Sequence, residues 1–170
     1  IDGTLANCSH RLHYLKDNNW DAFFGEMGKD ISISQTKYLL RSAYHYTQLD
    51  VILVTGRPEK YRLITVNWLE QNSLIMDYHW YKLYMRRDGD HRPDYIIKSE
   101  ILDEIQREHE VFFVVDDRPS VVEMWKKRGL FVLITFLKSL NFPADYINVK
   151  IREWNKLNEP PLKEGYLKSQ

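Results

Sequence analysis

The tetrad Val115-Asp116-Asp117-Arg118 closes an apolar run, Val111-Phe-Phe-Val-Val115, so two adjacent carboxylates stand where a buried strand emerges into solvent. Such a pair is costly unless a cation neutralises it. A hard divalent metal such as Mg²⁺ takes oxygen ligands, keeps some of its waters and suits that position. Metal-assisted catalysis is one reading. The other is a polar strand-to-helix turn, with Asp117 capping a helix that opens on Arg118 and Pro119. Further chemical groups also border apolar stretches: Asp2-Gly-Thr-Leu5, Thr55-Gly56-Arg57 and Lys98. A hydroxyl, a lysine and carboxylates around a metal suit phosphoryl transfer. Charge on three phosphate oxygens must be neutralised while an attacking group is held in line. No glycine-rich loop with a following lysine is present, which argues against a P-loop nucleoside triphosphatase.

These groups need a scaffold, and the sequence alternates strands with amphipathic helices, without an internal repeat. That alternation predicts an α/β fold with a parallel sheet flanked by helices. Asp50-Val-Ile-Leu-Val-Thr55, Val111 to Val115 and Leu130-Phe-Val-Leu-Ile-Thr135 are short, apolar and β-branched, as strands buried on both faces are. In such a sheet the ligand site lies beyond the carboxyl ends of the strands, which is where these chemical groups fall. Tyr61, Ile64, Thr65, Trp68 and Leu69 share one helical stripe; Ile97, Ile101, Leu102 and Ile105 share another. Both are read as core. Tyr81 to Met85 reads as an extra strand before a charged loop, Arg86 to Pro93. Ile147, Ile151 and Trp154 suggest a last helix, ended by Pro160-Pro161 before a polar tail, together about residues 144–170.

With 170 residues, 44% hydrophobic and 14% aromatic, the chain suits one compact soluble domain. Basic and acidic residues balance at 24 each, so nucleic-acid contact must come from a local cluster and extended non-specific binding is not expected. The single Cys8 excludes an internal disulfide framework, and no apolar run nears the roughly 20 residues of a membrane span. With no visible signal peptide, the cytoplasm is the expected compartment. His10 and His13 can share a helical face, but no third ligand follows at metal spacing, so no zinc site is expected.

Ile-Asp-Gly-Thr-Leu at 1–5, Val-Thr-Gly-Arg at 54–57, a lysine at 98 and Val-Val-Asp-Asp-Arg at 114–118 resemble the four ordered motifs of the haloacid dehalogenase (HAD) phosphatase superfamily. Within it, Arg86-Arg-Asp-Gly-Asp-His-Arg92, Asp94 to Lys98 and Asp116 to Trp125 resemble the phosphatase domain of phage polynucleotide kinase, which removes 3′-phosphates from nucleic-acid ends. The resemblance implies that Asp2 protonates the leaving alcohol and later activates water, while its backbone carbonyl helps hold Mg²⁺ with Asp116 and Asp117. It implies that Thr55 hydrogen-bonds a phosphate oxygen and that Lys98 neutralises phosphate and orients the nucleophile. Gly56, Arg57, Arg86, Asp90, Arg92 and Arg118 would surround the substrate phosphate, with planar guanidiniums matching its oxygens two at a time.

The nucleophile of that family is an aspartate two positions before Asp2, which falls immediately ahead of Ile1. The same holds for the central strand that carries it, so both are expected upstream. Without that aspartate, aspartyl-phosphate chemistry fails and a non-catalytic nucleic-acid-end-binding module is the alternative. The segment from Asn7 to about residue 30, with Tyr14, Trp20, Phe23 and Phe24, reads as a small cap before a helix near Gln35 to Gln48. A small cap leaves the cleft open to a chain end or to mononucleotides and other small phosphate esters. Its aromatics either pack the cap onto the body or stack on a base. An upstream kinase domain or an oligomer is compatible with the resemblance.

Overall fold

A computed structural model of the protein describes residues 1–46, 49–75 and 81–135. The last helix and tail expected at 144–170, and the end of the helix expected to reach Gln48, lie outside the described residues. Among the described residues, no helix is long and apolar enough to cross a membrane.

The chain opens on a tight loop. The Ile1 carbonyl accepts the amides of Thr4, Leu5 and Ala6 at 3.1, 2.8 and 3.0 Å. Closing that loop puts Gly3 at φ +78°, a left-handed conformation open to glycine at little cost. β1 (Ala6–Asn7) then pairs antiparallel with β2 (Ile31–Ser32). Between them run a 3₁₀ helix (Ser9–Asp17), α1 (Trp20–Gly25) and a second 3₁₀ helix (Glu26–Lys29). The Asn19 side chain caps α1 by accepting the Ala22 amide. α2 (Ser34–Tyr46) follows, and its Thr36 hydroxyl donates to the Thr4 carbonyl, anchoring the opening loop.

β3 (Val51–Pro58) lies parallel to β4 (Tyr81–Arg86), and α3 (Arg62–Gln71) connects their edge of the molecule. α4 (Asp94–Ile105) leads to β5 (Val114–Asp116), which pairs parallel with β6 (Val132–Ile134) across α5 (Pro119–Lys127). Side chains alternate faces along β3. Leu53 packs with Trp68 and Leu69 of α3, whereas Ile52 and Val54 pack against Ile97, Ile101 and Ile105 of α4. A strand covered on both faces needs a continuous apolar run, and Val51-Ile-Leu-Val54 supplies it. Leu102, Val121 and Trp125 seal α4 and α5 onto β5 and β6.

The parallel α/β architecture expected from the alternation is therefore present. β5 is shorter than the apolar run that announced it: Val111 to Phe113 lie outside the strand, and Phe112 is 73% exposed. Its ladder to β6 involves three residues of each strand, and among the described residues it is this pairing that regularises it. Val51–Val54 of β3 and Val114–Asp116 of β5 both line one cavity of about 460 Å³, with Leu40 and Trp125.

Candidate active site

The chemical groups collect where β3 and β5 end. Along β3 the register to β4 shifts between Val54 and Pro58, which takes Thr55-Gly56-Arg57 out of the regular ladder. Thr55 is buried and its hydroxyl oxygen accepts the Arg57 amide at 3.3 Å. Gly56 has no room for a side chain, because a Cβ would come within 2.7 Å of an Asp94 carboxylate oxygen. Its carbonyl accepts Arg86 Nε at 2.9 Å.

At the end of β5, Asp116 points inward. Its Oδ2 accepts Lys98 Nζ at 2.8 Å and Trp125 Nε1 at 3.3 Å, and its Oδ1 accepts the amides of Asp117 and Arg118. Burial alone raises a carboxyl, but the Lys98 charge and hydrogen bond, helped by the Arg118 amide, push Asp116 down to about 2. Asp117 turns the other way, over the opening loop. Its Oδ1 accepts the Thr4 hydroxyl at 3.2 Å, and a Cβ on Gly3 would sit 2.2 Å from its Oδ2. Thus the first and last motifs, 113 residues apart, touch through a position that only glycine can fill. Asp117 does not cap α5; Arg118 holds the N-cap position and Pro119 is the first helical residue.

Asp2 belongs to a buried ion network that the sequence did not announce. Arg11 Nη2 and Arg57 Nη2 donate to Asp2 Oδ1 at 2.5 and 2.6 Å, and the same two nitrogens donate to Asp30 Oδ2 at 2.7 and 2.9 Å. Arg11 Nε completes a bidentate pair with Asp30 Oδ1 at 2.7 Å. Arg11, Arg57 and Asp30 side chains are fully buried, while Asp2 keeps 25% exposure. Burial pushes the Asp2 carboxyl up, yet the Arg57 charge and hydrogen bond, then Arg11, hold it well below the usual carboxylate range.

The four arginines expected around a phosphate are each engaged by protein groups, and Arg86 and Arg118 meet at Asp94. Arg57 faces inward to Asp2, Asp30 and Thr65. Arg86 ties the charged loop by donating to the Gly56, Asp90 and Arg92 carbonyls, and with Arg118 it pairs with Asp94. Arg92 pairs on the outside with Asp90 and Glu100. Sequence reading missed the weight of Arg11, Asp30 and Asp94. No spacing signal marks the first two, since each lies in the irregular segment between β1 and β2. Asp94 had a local signal, as an acidic residue directly after Pro93 at a helix start.

Among the described residues, no three His, Cys, Asp or Glu side chains converge as a ready metal cage. The carboxylates of Asp2, Asp116 and Asp117 face three different sets of partners. At the Gly3–Asp117 junction the Asp117 carboxylate oxygens press against the opening loop. Such donors fit a hard cation.

Residues 1–135 match the family described as polynucleotide kinase PNKP phosphatase domain. A candidate bifunctional polynucleotide kinase/RNA ligase of Autographa californica nuclear polyhedrosis virus is 32% identical over 127 residues, covering 74% of this chain and 17% of that protein. Two solved structures of the Pnkp1/Rnl/Hen1 complex, one titled as an RNA repair complex, contain similar chains. Their TM-scores are 0.63 and 0.66 and their identities 30% and 33%; each match covers 79% of this chain and 40% or 43% of the other. The chain therefore spans well under half the length of these relatives. With its parallel α/β core and this family match over residues 1–135, the chain belongs to the PNKP phosphatase domain family and is a HAD-type phosphatase.

Proposed function

We propose that the protein removes the 3′-phosphate from DNA or RNA ends, in a Mg²⁺-dependent reaction through an aspartyl-phosphate. The observation that carries this reading is the meeting of the first and last motifs. Thr4 and Gly3 touch Asp117, beside an Asp2 carboxyl gripped by two guanidiniums. The match to solved structures of an RNA repair complex supports nucleic-acid ends as the substrate. Asp117, Asp116 and the Asp2 backbone carbonyl would hold Mg²⁺, which when bound neutralises phosphate oxygens.

In this reading the carboxylate two positions before Asp2 attacks phosphorus. Asp2 takes up a proton from solvent as substrate binds. As the P–O3′ bond breaks, its electron pair stays on O3′ and Asp2 gives that oxygen the proton. Asp2 then takes one from the water that attacks the acyl phosphate, whose P–O bond to the carboxylate breaks to release inorganic phosphate. Arg57 and Arg11 keep Asp2 ionised in the free site, and an arriving phosphate dianion raises its proton affinity by like-charge repulsion. Thr55 donates to phosphate, and Lys98 holds Asp116 and adds positive charge beside the nucleophile. Gly56 permits the close approach of the β3 turn. Arg118 and Arg92, each about half exposed, reach the substrate, while Arg57, Arg86 and Asp90 shape its surroundings. The segment at about 7–30 acts as a small cap, and the cavity between β3 and β5 receives the strand that precedes Ile1.

Mg²⁺-dependent phosphate release by the full-length protein tests the reading, with a 3′-phosphorylated oligonucleotide compared with 3′- and 5′-mononucleotides and Asp116→Asn as control. Preference for the oligonucleotide, lost in the control, is expected. Equal or better turnover of mononucleotides reassigns the protein to small phosphate esters, and binding of oligonucleotide ends without any release reassigns it to a non-catalytic end-binding role.

A further inference from the structure

We propose that Asp30 is a positioning residue that aims the Asp2 carboxyl group at the leaving-group oxygen, acting through the buried guanidiniums of Arg11 and Arg57. The inference rests on the phosphomonoesterase reading above and concerns a residue that no motif includes.

The geometry is a bridge with two fixed ends. Each terminal nitrogen, Arg11 Nη2 and Arg57 Nη2, donates at once to Asp30 Oδ2 and to Asp2 Oδ1, at distances from 2.5 to 2.9 Å. Asp30 is the anchored end. Its side chain is fully buried, its carbonyl accepts Trp68 Nε1 at 2.6 Å and its amide donates to the Met27 carbonyl at 3.2 Å. The guanidiniums are backed by aromatic rings, Arg11 over Phe23 at 4.2 Å and Arg57 over Trp68 at 5.8 Å. Asp2 is the open end, the one member of the four that keeps some exposure.

Charge explains why the anchor is required. Two guanidiniums and two carboxylates balance. Without Asp30, the two buried guanidiniums keep Asp2 as their shared carboxylate, and each draws it inward. Asp2 then sits deeper and turned from the cleft. Misplacement of a catalytic group by a fraction of an ångström is enough to slow proton transfer.

A misaimed acid harms only reactions that need the acid. A sugar 3′-alkoxide must receive a proton as the P–O bond breaks, whereas p-nitrophenolate leaves without one. With the full-length protein and Mg²⁺, kcat/KM is measured for a 3′-phosphorylated oligonucleotide and for p-nitrophenyl phosphate, because this ratio reports steps up to the first bond cleavage. Asp30→Asn is expected to lower the oligonucleotide value about 10-fold or more and the aryl value less than about threefold. Asp2→Asn should show the same selectivity, and the double variant should be no worse than Asp2→Asn. Asp30→Glu, which keeps the charge and displaces it, is expected to show the same selective loss and carries the test if Asp30→Asn does not fold by circular dichroism. Equal losses on both esters, or losses that multiply in the double variant, would overturn the positioning role alone. A wild type that cleaves neither ester would overturn the phosphatase reading and this inference with it.

Discussion

Arginine meets aspartate both in a buried network below the cleft and in the charged loop, at nearly the same distances and with different consequences. In the network below the cleft, Arg11 and Arg57 hold Asp2 and Asp30 at 2.5–2.9 Å, with three of the four side chains fully buried. In the charged loop, Arg92 holds Asp90 at 2.8 Å and Glu100 at 2.6 Å, with 48% of Arg92 and 57% of Glu100 exposed. Distance does not grade the two. Solvent screens the outer pairs and can replace either partner, so such pairs contribute little. Below the cleft water cannot compensate a lost partner, so each charge depends on the others. The lesson bears on the proposed function as well: the exposed Arg92 is open to exchange its partners with solvent, while the buried arginines stay on Asp2 and Asp30.

The largest expected effect breaks the buried side of this contrast. Arg11→Ala leaves Asp30 and Asp2 sharing one guanidinium, and should destabilise the fold by about 3–5 kcal/mol. Urea denaturation checks it; a loss no greater than that of an exposed pair would erase the distinction. Next comes the Lys98–Asp116 pair, where pH supplies the probe. Asp116 is pushed from its ordinary 3.8 to about 2, so it binds fewer protons folded than unfolded. The pair's stabilisation is therefore complete above 3.8 and disappears as pH falls toward 2. The stability gap between wild type and Lys98→Met should be wide at neutral pH and close across that window.

Gly3→Ala is expected to cost somewhat less, about 1–2 kcal/mol from the left-handed backbone. The new Cβ also displaces the Asp117 carboxylate, so phosphate release should fall further than thermal unfolding suggests. At the small end, Arg92→Ala should leave the melting temperature unchanged and raise KM for a 3′-phosphorylated oligonucleotide. A clear drop in melting temperature would show the loop to be structural and sharpen the comparison in the opposite direction.

Much of the fold was legible because it rests on local pattern. The apolar runs at Val51–Val54 and Val132–Ile134, and the helical stripe Ile97, Ile101, Leu102, Ile105, declare period and burial within a few residues. The run at Val111–Val115 overstated its strand because a sequence shows apolarity and not which residues find ladder partners. Asp116 and Asp117 stood out for a related reason, since they close the apolar run of β5, whereas Thr55 lies within β3 and Lys98 within α4. Arg11 and Asp30 did not stand out. They lie in a segment of short 3₁₀ turns and two-residue strands, and their pairing joins positions 19 residues apart, and 27 in the case of Arg57 and Asp30.

By itself, then, the sequence determined the parallel α/β plan and the phosphatase type, because these follow from periodicity and from motif residues of recognisable chemistry. Tertiary structure alone decided which charges are dry. Burial turns Arg11, Arg57 and Asp30 into a fixed support for Asp2 and leaves Arg92 outside. Exposure is set by the packing of distant elements, and the identity of a residue as Arg or Asp carries no mark of it.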